Sequence, residues 1–193
     1  MAIRRIGLLG GSFNPAHDGH LYISREALKR LQLTEIWWMV SPQNPLKSVK
    51  GMAPFAKRLR MAQDVARSPR VRVTDIEQQL GTVYTAATLT ALLPRFPDCR
   101  FVWLMGADNL LQISQWKDWR RIFERLPVAV FDRPPYSQRA LRGKAATVFA
   151  KSRIKERAAA KLPLMQPPAW VFLHHRPHAG SATAIRRSRG GSL

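Results

Sequence analysis

Short apolar runs alternate with amphipathic stretches along most of the chain, and this alternation restricts the fold more than any other feature. The strand candidates are Arg5 to Leu9, Glu35 to Val40, Arg70 to Thr74, Arg100 to Met105, Val128 to Phe131 and Trp170 to Leu173. Helical patterns lie between them. His20 to Leu31 puts Ile23, Ala27, Leu28 and Leu31 on one face, with Glu26 four residues ahead of Arg30 as a supporting pair. Pro54 to Ala66 opens with proline at a first helical position and repeats Phe55, Leu59 and Ala62. Tyr84 to Leu93 stops at Pro94, and Asp118 to Leu126 stops at Pro127. The expected class is α/β, a mainly parallel sheet with helices on both faces.

No internal repeat or glycine-serine linker divides the chain, so residues 1–186 are expected to form a single domain, followed by a basic, disordered tail at 187–193. Residues 41–47 and 133–136 are loops by their proline content. Residues 137–162 are basic and alanine-rich, and read as helical with weak amphipathicity. Charge is distributed unevenly. Residues 133–193 carry 13 basic side chains against one acid, Glu156, out of a whole-chain net charge of +20. Such an excess fits a phosphate-bearing partner and admits nucleic acid as one reading, although an RRM signature, zinc ligands and a basic heptad helix are all missing from the sequence. The lone Cys99 excludes an internal disulfide and suits a reducing, cytoplasmic setting. Apolar runs fall short of the roughly 20 residues that span a bilayer, so no membrane partner is expected.

The segment Gly10-Gly11-Ser12-Phe13-Asn14-Pro15-Ala16-His17-Asp18-Gly19-His20 follows the first strand. In an open parallel sheet that position faces the ligand crevice, and glycine lets backbone approach a phosphate closely. Neither the dinucleotide fingerprint nor the P-loop spacing is present. A pair of histidines stands in their place. His17 lies in the loop and His20 opens the next helix, where free amides and the positive dipole end favour an anion. Two imidazoles there can donate hydrogen bonds to phosphate oxygens as charge builds in a transition state.

This segment resembles the signature loop of the nucleotidyltransferase superfamily, G-x-F-x-P-x-H-x-G-H, which implies a Rossmann-like, doubly wound fold and binding of ATP. The resemblance assigns Gly10, Gly11, Ser12, Phe13 and Gly19 to the ATP loop and puts His17 and His20 on the phosphates. The segment Ser181-Ala182-Thr183-Ala184-Ile185-Arg186 is similar to the superfamily's second ATP motif. There Ser181 or Thr183 would cap a helix, and Arg186 would hold the outer phosphates with its fork of donors. Two departures stand out: Gly180 takes the place of a customary isoleucine, and the sequence ends seven residues after Arg186.

The acceptor is indicated elsewhere. Gly106-Ala107-Asp108 through Trp116 and Trp119 resembles the G-A-D-x-L-x-x-[LF]-x-x-W-x-x-W stretch of nicotinate-nucleotide adenylyltransferases, and Gly81-Thr82-Val83-Tyr84-Thr85 matches that family's G-x-[ST]-Y-T. By this resemblance Trp116 stacks on a pyridine ring, Tyr84 and Thr85 lie by its carboxylate, and Asp108 lies by a ribose. Trp119 reads as core, and a helix N-cap remains an alternative for Asp108. Lys47 follows Asn44-Pro45-Leu46, where relatives carry a phosphate-reaching lysine, and Lys50 is a nearby alternative. Arg133 matches a family arginine that would meet substrate phosphate, with Pro135 replacing a glycine in the turn.

The resemblance implies transfer of the adenylyl group of ATP, brought with Mg²⁺, to nicotinate mononucleotide. His17, His20, Lys47 and Arg186 would be the catalytic set. Nicotinamide mononucleotide and phosphopantetheine remain alternative acceptors, and the sequence leaves a homodimer open. These roles use few of the 32 basic residues, and the excess reads as a field that steers anionic substrates.

Overall fold

The computed structural model describes residues 3–42 and 51–175. Seven parallel strands form one sheet: β1 (Arg4–Gly11), β2 (Glu35–Val40), β3 (Val71–Thr74), β4 (Cys99–Gly106), β5 (Val128–Phe131), β6 (Arg153–Ile154) and β7 (Trp170–Leu173). Their order is β3-β2-β1-β4-β5-β7-β6. The chain moves outward from β1 through β2 to β3, then returns to place β4 on the other side of β1. That reversal leaves a crevice outside the carboxyl ends of β1 and β4, the usual ligand position in an open α/β sheet.

Both faces of the sheet are covered, as expected. Ile6, Leu8, Trp37, Phe101, Trp103 and Val130 face one way, packed by α4 (Thr85–Leu92), α5 (Ala107–Gln112) and α6 (Trp119–Arg125). Their neighbours along the strands, Leu9, Ile36, Trp38, Val102, Leu104 and Phe131, face the other way onto α1 (Asp18–Arg30) and α2 (Phe55–Val65). Burial on both sides is why the strands read as unbroken apolar runs rather than alternating ones. Trp119 is a core residue, 9% exposed, as its helical spacing suggested.

Several boundaries differ from the sequence reading. Gly10 and Gly11 belong to β1 rather than to the loop, because the ladder continues and pairs them with Met39 and Val40. Glycine is required at Gly10 for space: a Cβ there would stand 2.6 Å from Cη2 of Trp103. Pro54, expected as the first helical residue, is instead the N-cap of α2, which begins at Phe55. Past Leu92 the chain tightens into a 3-10 turn, Leu93–Arg95, so Pro94 ends the α-helix without ending helical geometry. A one-turn helix at Ile76–Gln79, α3, is too short to show periodicity in the sequence.

Residues 137–162, read as helical, are helical in short pieces and also contribute a strand. They form α7 (Ser137–Leu141), α8 (Lys144–Val148), a 3-10 turn, the edge strand β6 and the start of a 3-10 segment, Glu156–Leu164. Gly143 separates the two short helices as the N-cap of the second. Ile154 then pairs with Val171, and the Arg153 guanidinium lies 5.3 Å from the centre of the Trp170 ring, contacts that local sequence could not announce. Among the described residues, no helix is long and apolar enough to cross a membrane.

Candidate active site

The passage from β1 into the first turn of α1 carries the two histidines, and short-range hydrogen bonds hold both rings. His17 is the N-cap of α1, and its Nδ1 accepts from the Gly19 amide at 3.1 Å. His20 is the third residue of the helix, and its Nδ1 accepts from the His17 amide at 3.2 Å. This is a capping box in which imidazoles take the usual places of serine and glutamate. An Nδ1 that accepts must be unprotonated, so each ring carries its proton on Nε2, a tautomer assigned from these partners. The rings lie 4.0 Å apart between centroids.

Phe13, expected at the ATP loop, is 2% exposed and sits beneath His20 with its ring 4.7 Å away. On its other side it stacks on Trp38 at 5.2 Å. The Trp38 indole donates to Ser24 Oγ at 2.8 Å, and that hydroxyl donates to the His20 carbonyl at 2.8 Å. Ring and backbone of His20 are thus tied to the second strand. Gly19 is buried within the same turn.

Arg58 was missed by the sequence reading. It is 1% exposed, and its guanidinium donates to the carbonyls of Ala53 (2.9 Å), Ser12 (2.6 Å), Ser41 (2.7 Å) and Pro42 (2.7 Å). Asn14 assists it: Nδ2 donates to the Gly51 carbonyl at 3.1 Å, and Oδ1 accepts from the Ala53 amide at 3.2 Å. Together they fasten the glycine loop to the segments on either side of residues 43–50. The only sequence hint was an arginine on a helix stripe whose other members are apolar.

Beside Gly10, Gly11 and Ser12 opens a cavity of about 310 Å³. Trp116 and the consecutive pair Tyr84-Thr85, drawn from two segments, all line it. Tyr84 caps α4 by position, and Lys117 places its Nζ 4.9 Å from the centre of the Tyr84 ring. Glu77, on α3, forms part of the wall and is 4% exposed. Burial raises its carboxyl to about 7, and a side-chain hydrogen bond from Ser41 offsets part of that rise.

Asp108 lies in the first turn of α5, whose N-cap is Gly106, so the alternative of Asp108 as the cap is set aside. Its Oδ2 accepts from Arg133 Nη1 at 3.0 Å, which joins two residues that the sequence reading had given separate substrate contacts. Its Oδ1 is buried without a hydrogen-bond partner. Lys47 and Lys50, and Ser181, Thr183 and Arg186 of the second motif, lie outside the described residues. Among the described residues no cluster of three or more His, Cys, Asp or Glu side chains could hold a metal ion.

Residues 8–188 match the cytidylyltransferase-like family. The chain is 52% identical to a probable nicotinate-nucleotide adenylyltransferase of Parvibaculum lavamentivorans, over 98% of this chain and 94% of that protein. It is 46% identical to a probable nicotinate-nucleotide adenylyltransferase of Rhizobium meliloti, over 96% and 99%. Its fold is similar to that of Plasmodium falciparum nicotinic acid mononucleotide adenylyltransferase, solved in complex with NaAD, at a TM-score of 0.71 and 16% identity, covering 95% of this chain and 83% of that one. The arrangement of a histidine-bearing loop beside a tryptophan-lined cavity thus accompanies a near full-length match, and the chain belongs to the nicotinate-nucleotide adenylyltransferases of the cytidylyltransferase-like family.

Proposed function

We propose that the chain transfers the adenylyl group of ATP to nicotinate mononucleotide, forming deamido-NAD and pyrophosphate in NAD biosynthesis. The observation that carries this reading is the convergence of Trp116, Tyr84 and Thr85 on one cavity adjoining the glycine loop. A phosphate oxygen of the mononucleotide attacks the α-phosphorus of ATP in line, the bond to the bridging oxygen of the β-phosphate breaks, and pyrophosphate leaves. The attacking oxygen is already anionic, so no side chain has to act as nucleophile. Catalysis comes from placement and from charge stabilisation.

His17 and His20 offer Nε2–H donors held in place by their Nδ1 contacts, suited to the triphosphate oxygens as charge builds on them. Gly10, Gly11 and Ser12 bring backbone close to the nucleotide. Asp108 accepts from a ribose hydroxyl, and Arg133, joined to it, neutralises substrate phosphate as it exchanges partners. Trp116 stacks on the pyridine, while the first amides of α4, at Thr85, meet its carboxylate. Lys47, Ser181, Thr183 and Arg186 complete the phosphate contacts through their match to the family motifs. Mg²⁺ enters as part of the substrate, chelated by ATP oxygens. The reaction belongs in the cytoplasm, in one catalytic domain spanning residues 1–186.

A pyrophosphate-release assay with ATP and Mg²⁺ tests the reading against nicotinate mononucleotide, nicotinamide mononucleotide and phosphopantetheine in parallel. Release is expected with the pyridine mononucleotides, foremost the acid. Release with phosphopantetheine alone, or with none of the three, would overturn it.

A further inference from the structure

The tryptophans on the strands differ in one respect. Trp37, Trp38 and Trp170 are buried, and their indole nitrogens donate to Glu35 Oε2 (3.0 Å), Ser24 Oγ (2.8 Å) and the Phe149 carbonyl (2.8 Å). Trp103 is just as buried, 2% exposed, yet its Nε1 has no hydrogen-bond partner. It lines the cavity. Glu77 lines the same cavity, and its Oε2 is likewise buried without a partner. Unpaired buried polar atoms are uncommon in native interiors, and two on the wall of one cavity point to a ligand that supplies the missing hydrogen bonds.

The pair has a defined complement. An indole can only donate, so Trp103 asks for an acceptor. A carboxyl donates when neutral and only accepts when ionised, so Glu77 asks for an acceptor in one form and a donor in the other. A pyridine carboxylate satisfies both groups when Glu77 is neutral. A carboxamide satisfies both when Glu77 is ionised, by accepting from Trp103 and donating to Glu77.

Resting on the reading that this cavity takes a pyridine mononucleotide, we propose that Glu77, with Trp103, is a specificity-determining residue: its neutral carboxyl donates to a ring carboxylate, and its ionised form repels that carboxylate and accepts from a carboxamide. The groups around Glu77 leave room for the switch. Ser41, whose carbonyl is taken by the Arg58 guanidinium, directly follows β2; α4 and its N-cap bring Thr85 and Tyr84; the segment before α6 brings Lys117, held over the Tyr84 ring; and Asp75 precedes Glu77 on its own turn. Burial dominates over the Ser41 hydrogen bond and puts the transition of Glu77 at about 7.

The test is the ratio of kcat/KM for nicotinate mononucleotide to that for nicotinamide mononucleotide, measured from about pH 6 to about pH 8.5. Ionisations of ATP and of the shared phosphate cancel in this ratio. In the wild type it should fall by up to about tenfold per pH unit above 7, the limit for a single proton. In Glu77→Gln it should be independent of pH, because the amide donates without titrating. A constant wild-type ratio, or the same fall in E77Q, would overturn the proposal, and the wild-type profile decides the matter alone if E77Q does not fold. Absence of adenylyl transfer to either mononucleotide would overturn the underlying reading instead, a distinct outcome.

Discussion

The loop that carries the histidines and the cavity beside it solve the problem of buried polar groups in opposite ways. In the loop, His17 and His20 use their Nδ1 atoms on backbone amides no more than three residues away, and Phe13, Trp38 and Ser24 brace the ring and carbonyl of His20. In the cavity, Glu77 and Trp103 keep polar atoms unpaired although both are buried. On the proposed reading, the histidine half is set before substrate arrives and the cavity half is completed by it. A half that meets phosphate must stabilise charge at the moment of reaction, where preorganised donors are most effective. A half that meets a base has to discriminate, and unpaired groups reject a wrong ligand by staying unpaired.

Breaking the complete half should have the largest effect. His20→Ala is expected to lower kcat by about 10²- to 10³-fold, in line with loss of one preorganised donor, while equilibrium binding of nicotinate mononucleotide changes far less. Steady-state kinetics alongside calorimetric binding measures both, and an unchanged kcat removes His20 from the mechanism.

The incomplete half should show itself in stability. A carboxyl at about 7 in the folded chain is protonated there, while the unfolded chain has already ionised it above its ordinary value of 4.5. The native state then binds the extra proton, so stability falls as pH rises from about 4.5 through 7 and is flat outside that window. Relative to E77Q the fall should approach about 3 kcal/mol, read from urea midpoints at a series of pH values. A wild type that follows E77Q across the window would show that Glu77 is ionised in the native state.

Gly10 lies where the two halves meet, under the Trp103 ring. Gly10→Ala should cost about 1–3 kcal/mol of stability by forcing that ring to shift, and the shift should raise KM for the mononucleotide more than KM for ATP. Equal changes in both constants would mean that the strand moves instead of the ring. The smallest effect is expected at Trp116. Trp116→Ala should raise KM for the mononucleotide about tenfold through lost stacking, leaving kcat within a few-fold. A drop in kcat without a change in KM would assign Trp116 to the transition state rather than to binding.

The same contrast explains what could be read from the amino-acid sequence. The histidine loop is written in eleven consecutive residues, and the Nδ1 hydrogen bonds of its two histidines close within it, so the motif that carries the family resemblance is visible in one stretch. The central strands were legible for a related reason: burial on both faces makes β2, β4, β5 and β7 nearly continuous apolar runs. Glu77 was not legible, since α3 is a single turn and its carboxyl acquires meaning only when Ser41, Tyr84 and Trp103 are folded around it. Strand β6 was missed because its two residues pair with β7 at a separation of 17 positions, from Arg153 to Trp170. The strand register also moved Gly10 and Gly11 into the sheet, because pairing to β2 depends on a partner that local pattern does not see.

Arg58 and Asn14 have a consequence for engineering. Their hydrogen bonds end at Pro42 on one side and at Gly51 and Ala53 on the other, so the stretch between is framed by fixed posts on the glycine loop. Substitutions meant to stabilise the fold should therefore spare both side chains, because losing either would release the glycine loop from a flanking post while leaving every cavity-lining residue unchanged.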